Sequence, residues 1–137
     1  MVVGVDGSAV SEAALVFAFD AAAARGVDLV AVHAWSSTAI DEALESFVEW
    51  DAGAADAVLA ERLAGWRQKY PQVSVRRTVV RDGAARALVD ASADAQLVVV
   101  GSRGRGNAVG LLLGSVSHGV LHGAHCPVAV VRPGTNA

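Results

Sequence analysis

The chain has 137 residues, 53% of them hydrophobic and 18% charged, and a formal net charge of −3 at pH 7. That length suits one domain with a true core, and the composition excludes a disordered chain. The acidic balance leaves no electrostatic footprint for nucleic acid, no run of about 18 apolar residues is present to cross a membrane, and a single cysteine excludes an internal disulfide framework.

Taken in order, Val2-Val3-Gly4-Val5 reads as a short apolar strand ending at Asp6, and Ser8 stands as the N-cap of a helical run from Ala9 to Arg25. Within that run Ala13, Ala14, Val16, Phe17, Ala21 and Ala24 supply the helical spacing, and Gly26 ends it. Leu29 to Ala34 reads as a second strand, and Trp35 to Trp50 is irregular, with helical turns expected but no boundaries assigned. Asp51 to Lys69 reads as a helix with Ala54, Val58, Leu59, Leu63 and Trp66 on one face, and Pro71 bars its continuation. Val73 to Val80 is a third strand whose Arg76 and Arg77, with Arg81 just beyond, lack interleaved aromatics and read as a solvated edge. A short helix from Ala84 to Ser92, a strand from Leu97 to Val100, a helix from Ser115 to Gly123 and a strand from Val128 to Val131 complete the chain. Strands alternating with helices predict an α/β fold, a parallel sheet covered on both faces. The unbroken apolar runs at 97–100 and 128–131 fit burial on both sides. Cys126, beside Pro127 in the last of these runs, reads as a small core residue. No basic segment followed by an apolar stretch opens the chain, so a cytoplasmic location is expected.

The fourth strand empties directly into Gly101-Ser102-Arg103-Gly104, and after nine residues Gly114-Ser115 opens the next helix. Glycine has no Cβ to hold an anion away from backbone N–H groups, so this loop suggests a nucleotide phosphate site. It is neither a Walker A pattern nor the dinucleotide fingerprint, and on spacing alone a plain surface turn remains the alternative.

Three segments taken together, Val2 to Ser8, the Gly-x2-Gly-x9-Gly-Ser run and Cys126 to Arg132, resemble the universal stress protein family in its ATP-binding form, over nearly the whole chain. The likeness is to the second half of tandem members, notably at Val5-Asp6-Gly7-Ser8, His33-Ala34-Trp35 and Ala60 to Trp66. One domain over residues 1–137 is therefore expected, a candidate half of a two-domain protein. The resemblance implies a flavodoxin-like, Rossmann-like three-layer sandwich with a five-stranded parallel sheet in the order 3-2-1-4-5. In such sheets ligands sit beyond the carboxyl ends of the strands where the winding reverses, and Asp6 and Gly101 both end strands at that point.

The same resemblance implies ATP with Mg²⁺ as the ligand. Asp6 would accept from a ribose hydroxyl or help to orient Mg²⁺. Ser8 would cap the first helix with its backbone near the phosphates, and Gly4 would let the first strand approach the nucleotide. The backbone of Ala34 would read the adenine edge, with Val32 or Val5 near the ring. Gly101, Ser102 and Gly104 would line the ribose and phosphate path. Arg103 and Arg105 either offset phosphate charge or are exposed loop residues. Gly114, Ser115, Val116 and Ser117 would present a helix N-terminus to the phosphates. No catalytic residue is expected, and His33 reads as a strand-end residue rather than a base. His118 and His122 share a helical face, with His125 beyond it, but no carboxylate or cysteine stands in register, so no direct metal ligand set is expected.

The function so implied is a nucleotide-dependent switch or sensor in stress adaptation, paired as a homodimer or in tandem through Val128 to Arg132. The alternatives are a slow ATPase or other nucleotide-using enzyme, an interaction module without nucleotide, and a flavin carrier using Trp35 and Trp50.

Overall fold

The computed structural model describes residues 1–5, 9–35, 52–81, 83–102 and 115–132. The elements are β1 (Val2–Val5), α1 (Ala9–Arg25), β2 (Leu29–Trp35), α2 (Ala52–Lys69), β3 (Val75–Arg81), α3 (Ala84–Ser92), β4 (Val98–Gly101), α4 (Ser115–Gly123) and β5 (Val128–Val131). The strands form one parallel sheet in the order β3-β2-β1-β4-β5. This is the expected flavodoxin-like arrangement, and the strands differ from the sequence reading only by one or two residues at their ends.

Alternation along the strands sends side chains to two separate cores. Val3, Val5, Leu29, Ala31 and Val99 pack under α1 and α2, against Leu15, Phe19, Leu59 and Leu63. Val2, Val32, Val98 and Val100 face the other way, with Leu88 of α3 and Val120 of α4. Full burial of a side chain such as Phe19 or Leu88 stabilises by about 1.5–3 kcal/mol relative to exposure. Trp66 and Tyr70 extend the first core, their rings stacked on Phe19 at 5.9 and 5.4 Å.

The helix stops follow local chemistry. Gly26 adopts a φ of 64°, its N–H reaching the Ala23 carbonyl while Val27 N–H reaches Ala22. That pair of bonds is a Schellman closure, which glycine permits because it carries no Cβ penalty in the left-handed region.

Helix faces depart from the sequence reading in two places. α1 buries Ala14, Leu15, Ala18, Phe19 and Ala22, whereas Val16 and Phe17 are 40% and 44% exposed. On α2, Leu59 and Leu63 are buried but Val58 is 58% exposed. Both helices carry apolar residues outside the packed stripe, so helical spacing alone did not mark the face that meets the sheet. Cys126 is half-buried at the rim of the second core rather than inside it.

Arg76 and Arg77 stand on the edge strand β3, paired with Asp28 at 3.9 Å and Asp56 at 2.9 Å. His118 and His122 are exposed on one face of α4, with ring centroids 4.3 Å apart. No group of three or more His, Cys, Asp or Glu side chains is placed to hold a metal ion among the described residues. Among the same residues, no helix is long and apolar enough to cross a membrane.

Candidate functional site

The winding reverses between β1 and β4. From β1 the chain runs outward through β2 to β3, then crosses back to β4 and β5 on the other side. Val3 pairs with Val99, so Val5 and Gly101, each two residues further on, close their strands at one level. A crevice forms at such a reversal because the connections leaving the two strands go to opposite faces of the sheet. Here α1 follows β1 on one face and α4 follows β4 on the other.

Ser117 draws α4 to this edge. It is the third residue of the helix, it is buried, and its hydroxyl donates to the Gly101 carbonyl. The first turn of α4 is thereby fastened to the last residue of β4. The leading N–H groups of a helix have no partner within it, and they form the positive end of its dipole. Ser115, Val116 and Ser117 therefore bring backbone donors to the carboxyl end of the sheet, an arrangement suited to an anion.

At the end of β4 the backbone is committed to the sheet. Ser102 is buried and its N–H donates to the Val131 carbonyl at 2.8 Å, so that amide serves β5 pairing rather than a ligand.

Gly4 has a packing reason that the sequence did not reveal. A Cβ there would lie 3.2 Å from Leu88 Cδ1 and 3.7 Å from Val100 Cγ1. The bare position lets Leu88 of α3 close onto the centre of the sheet. Ala34, half-buried, pairs with Val80 near the end of β2. Its neighbour His33 is a residue whose interaction was not foreseen: Nδ1 donates to the Val5 carbonyl at 2.8 Å, across 28 residues of chain. The available signal was a histidine at the end of an otherwise apolar strand.

Of the residues singled out in the sequence, Gly4, Ala34, Gly101, Ser115, Val116 and Ser117 thus lie on β1, β2, β4 and the first turn of α4, with Ser102 immediately after β4. Asp6, Ser8, Arg103, Gly104, Arg105 and Gly114 fall outside the described residues, as does Trp50.

A doubly wound parallel sheet, with two strand ends and a helix N-terminus meeting at the reversal, defines the class of α/β proteins that hold ligands beyond the carboxyl edge. Within that class the chain belongs to the universal stress protein family, whose model matches residues 1–132. Two universal stress proteins of Mycobacterium tuberculosis are 55% identical over 132 residues and 54% identical over 134. Each match covers 96% of this chain, against 45% and 44% of the relatives. The chain thus spans less than half the length of these curated relatives.

Among solved structures, a universal stress protein UspA from Lactobacillus plantarum superimposes with a TM-score of 0.77 at 20% identity, covering 96% of both chains. A universal stress protein solved in complex with cAMP superimposes with a TM-score of 0.67 at 29% identity, covering 96% of this chain and 94% of that one.

Proposed function

We propose that this domain binds ATP with Mg²⁺ at the carboxyl ends of β1 and β4 and serves as a nucleotide-dependent switch or sensor in stress adaptation. The observation that carries the reading is the Ser117 to Gly101 hydrogen bond, which holds a helix N-terminus at the strand reversal. Support comes also from the relative at 29% identity that was solved with cAMP. Several N–H groups that find no partner within the helix, in one helical turn, favour a polyphosphate over a single phosphodiester.

In this reading Asp6 accepts from the ribose and the Ala34 backbone reads the adenine. Gly101 and Gly104 line the path to the phosphates, Arg103 and Arg105 offset their charge, and Ser8 and Gly114–Ser117 complete the cradle. Magnesium is a hard cation that prefers oxygen ligands and keeps several waters. It would arrive on the triphosphate, with Asp6 the protein carboxylate nearest in sequence to the site.

The relatives' length supports a second domain in the same polypeptide. β5 is an edge strand, half-buried along its length, and α1, which packs against the same core, leaves Val16 and Phe17 exposed. We assign Val128–Arg132 as the seam for a second domain of the same fold, or for a second copy of this one. A cytoplasmic location fits a nucleotide switch.

Calorimetric titration of the nucleotide-stripped protein with ATP and Mg²⁺ tests the reading, with cAMP as competitor and with Asp6→Ala and Gly101→Ala alongside. Saturable binding that both substitutions weaken is expected, and phosphate release measured on the same samples reports turnover. A folded wild type that binds neither nucleotide overturns the reading.

A further inference from the structure

His33 stands opposite Val5 in the β1–β2 ladder, and its Nδ1 lies 2.8 Å from the Val5 carbonyl oxygen. A carbonyl can only accept, so Nδ1 carries the proton. The neutral ring is therefore held in its Nδ1–H tautomer, with Nε2 left as an acceptor. The preceding odd-numbered positions of β2, Leu29 and Ala31, lie in the core under α1 and α2. His33 continues that face to the carboxyl edge of the sheet. The bond is selective in what it holds. The Val5 carbonyl belongs to the peptide unit whose nitrogen is that of Asp6, and a peptide unit is planar. Holding its oxygen holds the carboxyl end of β1.

We propose that His33 is a positioning residue for the nucleotide site, supporting the ligand role of the Asp6 carboxylate through the Val5 carbonyl at the end of β1. This rests on the ATP reading given above. A histidine that only filled the strand end would contribute to stability and leave nucleotide affinity alone. A histidine that orients Asp6 contributes to affinity only while the Asp6 carboxylate is present. Asparagine separates the two roles, because its side-chain amide places a donor close to where imidazole Nδ1 sits, whereas leucine has no donor and glutamine carries its amide one methylene too far.

The test has two parts. Long-range ¹⁵N–¹H spectra of the nucleotide-free protein, with His33 assigned by its loss in His33→Asn, are expected to show the Nδ1–H tautomer. The Nε2–H tautomer overturns the proposal without reference to any nucleotide. Calorimetry with ATP and Mg²⁺ is then expected to show affinity about tenfold weaker in His33→Leu and within about twofold of wild type in His33→Asn. In an Asp6→Ala background His33→Leu is expected to add nothing. Should His33→Leu not fold, His33→Gln takes its place with the same expectations. Wild-type affinity in the leucine or glutamine variant, or an equal loss with and without Asp6, overturns the positioning role while leaving the ATP reading intact. A folded wild type with the Nδ1–H tautomer that binds no ATP overturns both, and the intact tautomer then locates the fault in the nucleotide reading.

Discussion

The Ser117 hydroxyl donates to the Gly101 carbonyl, joining residues 16 positions apart at the end of β4 and the start of α4. The bond ties the first residue of the glycine motif to a residue two positions beyond its last. Ser117→Ala leaves the half-buried carbonyl of a strand terminus without that donor, which costs about 0.5–1.5 kcal/mol. It also frees the first turn of α4 from the sheet. Urea unfolding is expected to show the stability loss, and calorimetry a weaker affinity for ATP and Mg²⁺. Unchanged affinity in a destabilised variant would confine the bond to a structural role.

The packing of α4 on α3 depends on Gly119 and Gly123. A Cβ at Gly119 would stand 3.0 Å from the Ala85 Cβ, and one at Gly123 would stand 3.1 Å from Val89 Cγ2. Alanine is favoured over glycine inside a helix by about 1 kcal/mol, so propensity and packing oppose one another here. Packing is expected to win at Gly119, because the neighbouring atom is a Cβ fixed to backbone and cannot swing aside. Gly119→Ala should lower the unfolding midpoint in the wild-type background and raise it in an Ala85→Gly background. The same sign in both backgrounds would show that the helices part without cost.

How much of this was legible follows from the physics of particular residues. Gly26 and Pro71 punctuate the chain, so the helices before them were readable. The strand order came with the family resemblance, because periodicity says nothing of which strands are neighbours. On α1 the choice between Val16–Phe17 and Leu15–Phe19 was undecidable from spacing, since apolar residues occupy nearly the whole circumference. Gly101 and Ser115 drew attention to the candidate site through their spacing. The roles of Ser117 and His33 did not, because each depends on a side-chain bond to a backbone carbonyl distant in sequence. Gly4 was read as letting the first strand approach the nucleotide, and the packing of Leu88 onto the bare position was not foreseen.

Ser92 closes the junction between α3 and the turn into β5. Its side chain is fully buried, its Oγ donates to the Val89 carbonyl at 2.5 Å, and it accepts from the His125 N–H at 2.9 Å. Replacement by alanine removes the acceptor of the His125 amide at a cost of about 0.5–1.5 kcal/mol. Hydrogen exchange is expected to accelerate at His125 in Ser92→Ala, with the unfolding midpoint lowered. Unaltered exchange there would mean that water replaces the hydroxyl.

Tyr70 reports on the far end of the α1–α2 core. Its hydroxyl donates to the Asp20 carboxylate, and its ring stacks on Phe19 at 5.4 Å. The hydrogen bond to Asp20, then partial desolvation, then the carboxylate's negative charge together raise the phenol above its ordinary value of about 10. Because the folded value exceeds the unfolded one, the stabilisation from this pair is complete below pH 10 and is lost as pH rises through the folded value. This is the chain's single tyrosine, so tyrosinate absorbance follows it without overlap. The titration midpoint of the folded protein is expected above that of the protein in denaturant, and Asp20→Ala should bring the two together. Coincident midpoints in the wild type would show that Asp20 does not hold the phenol in solution.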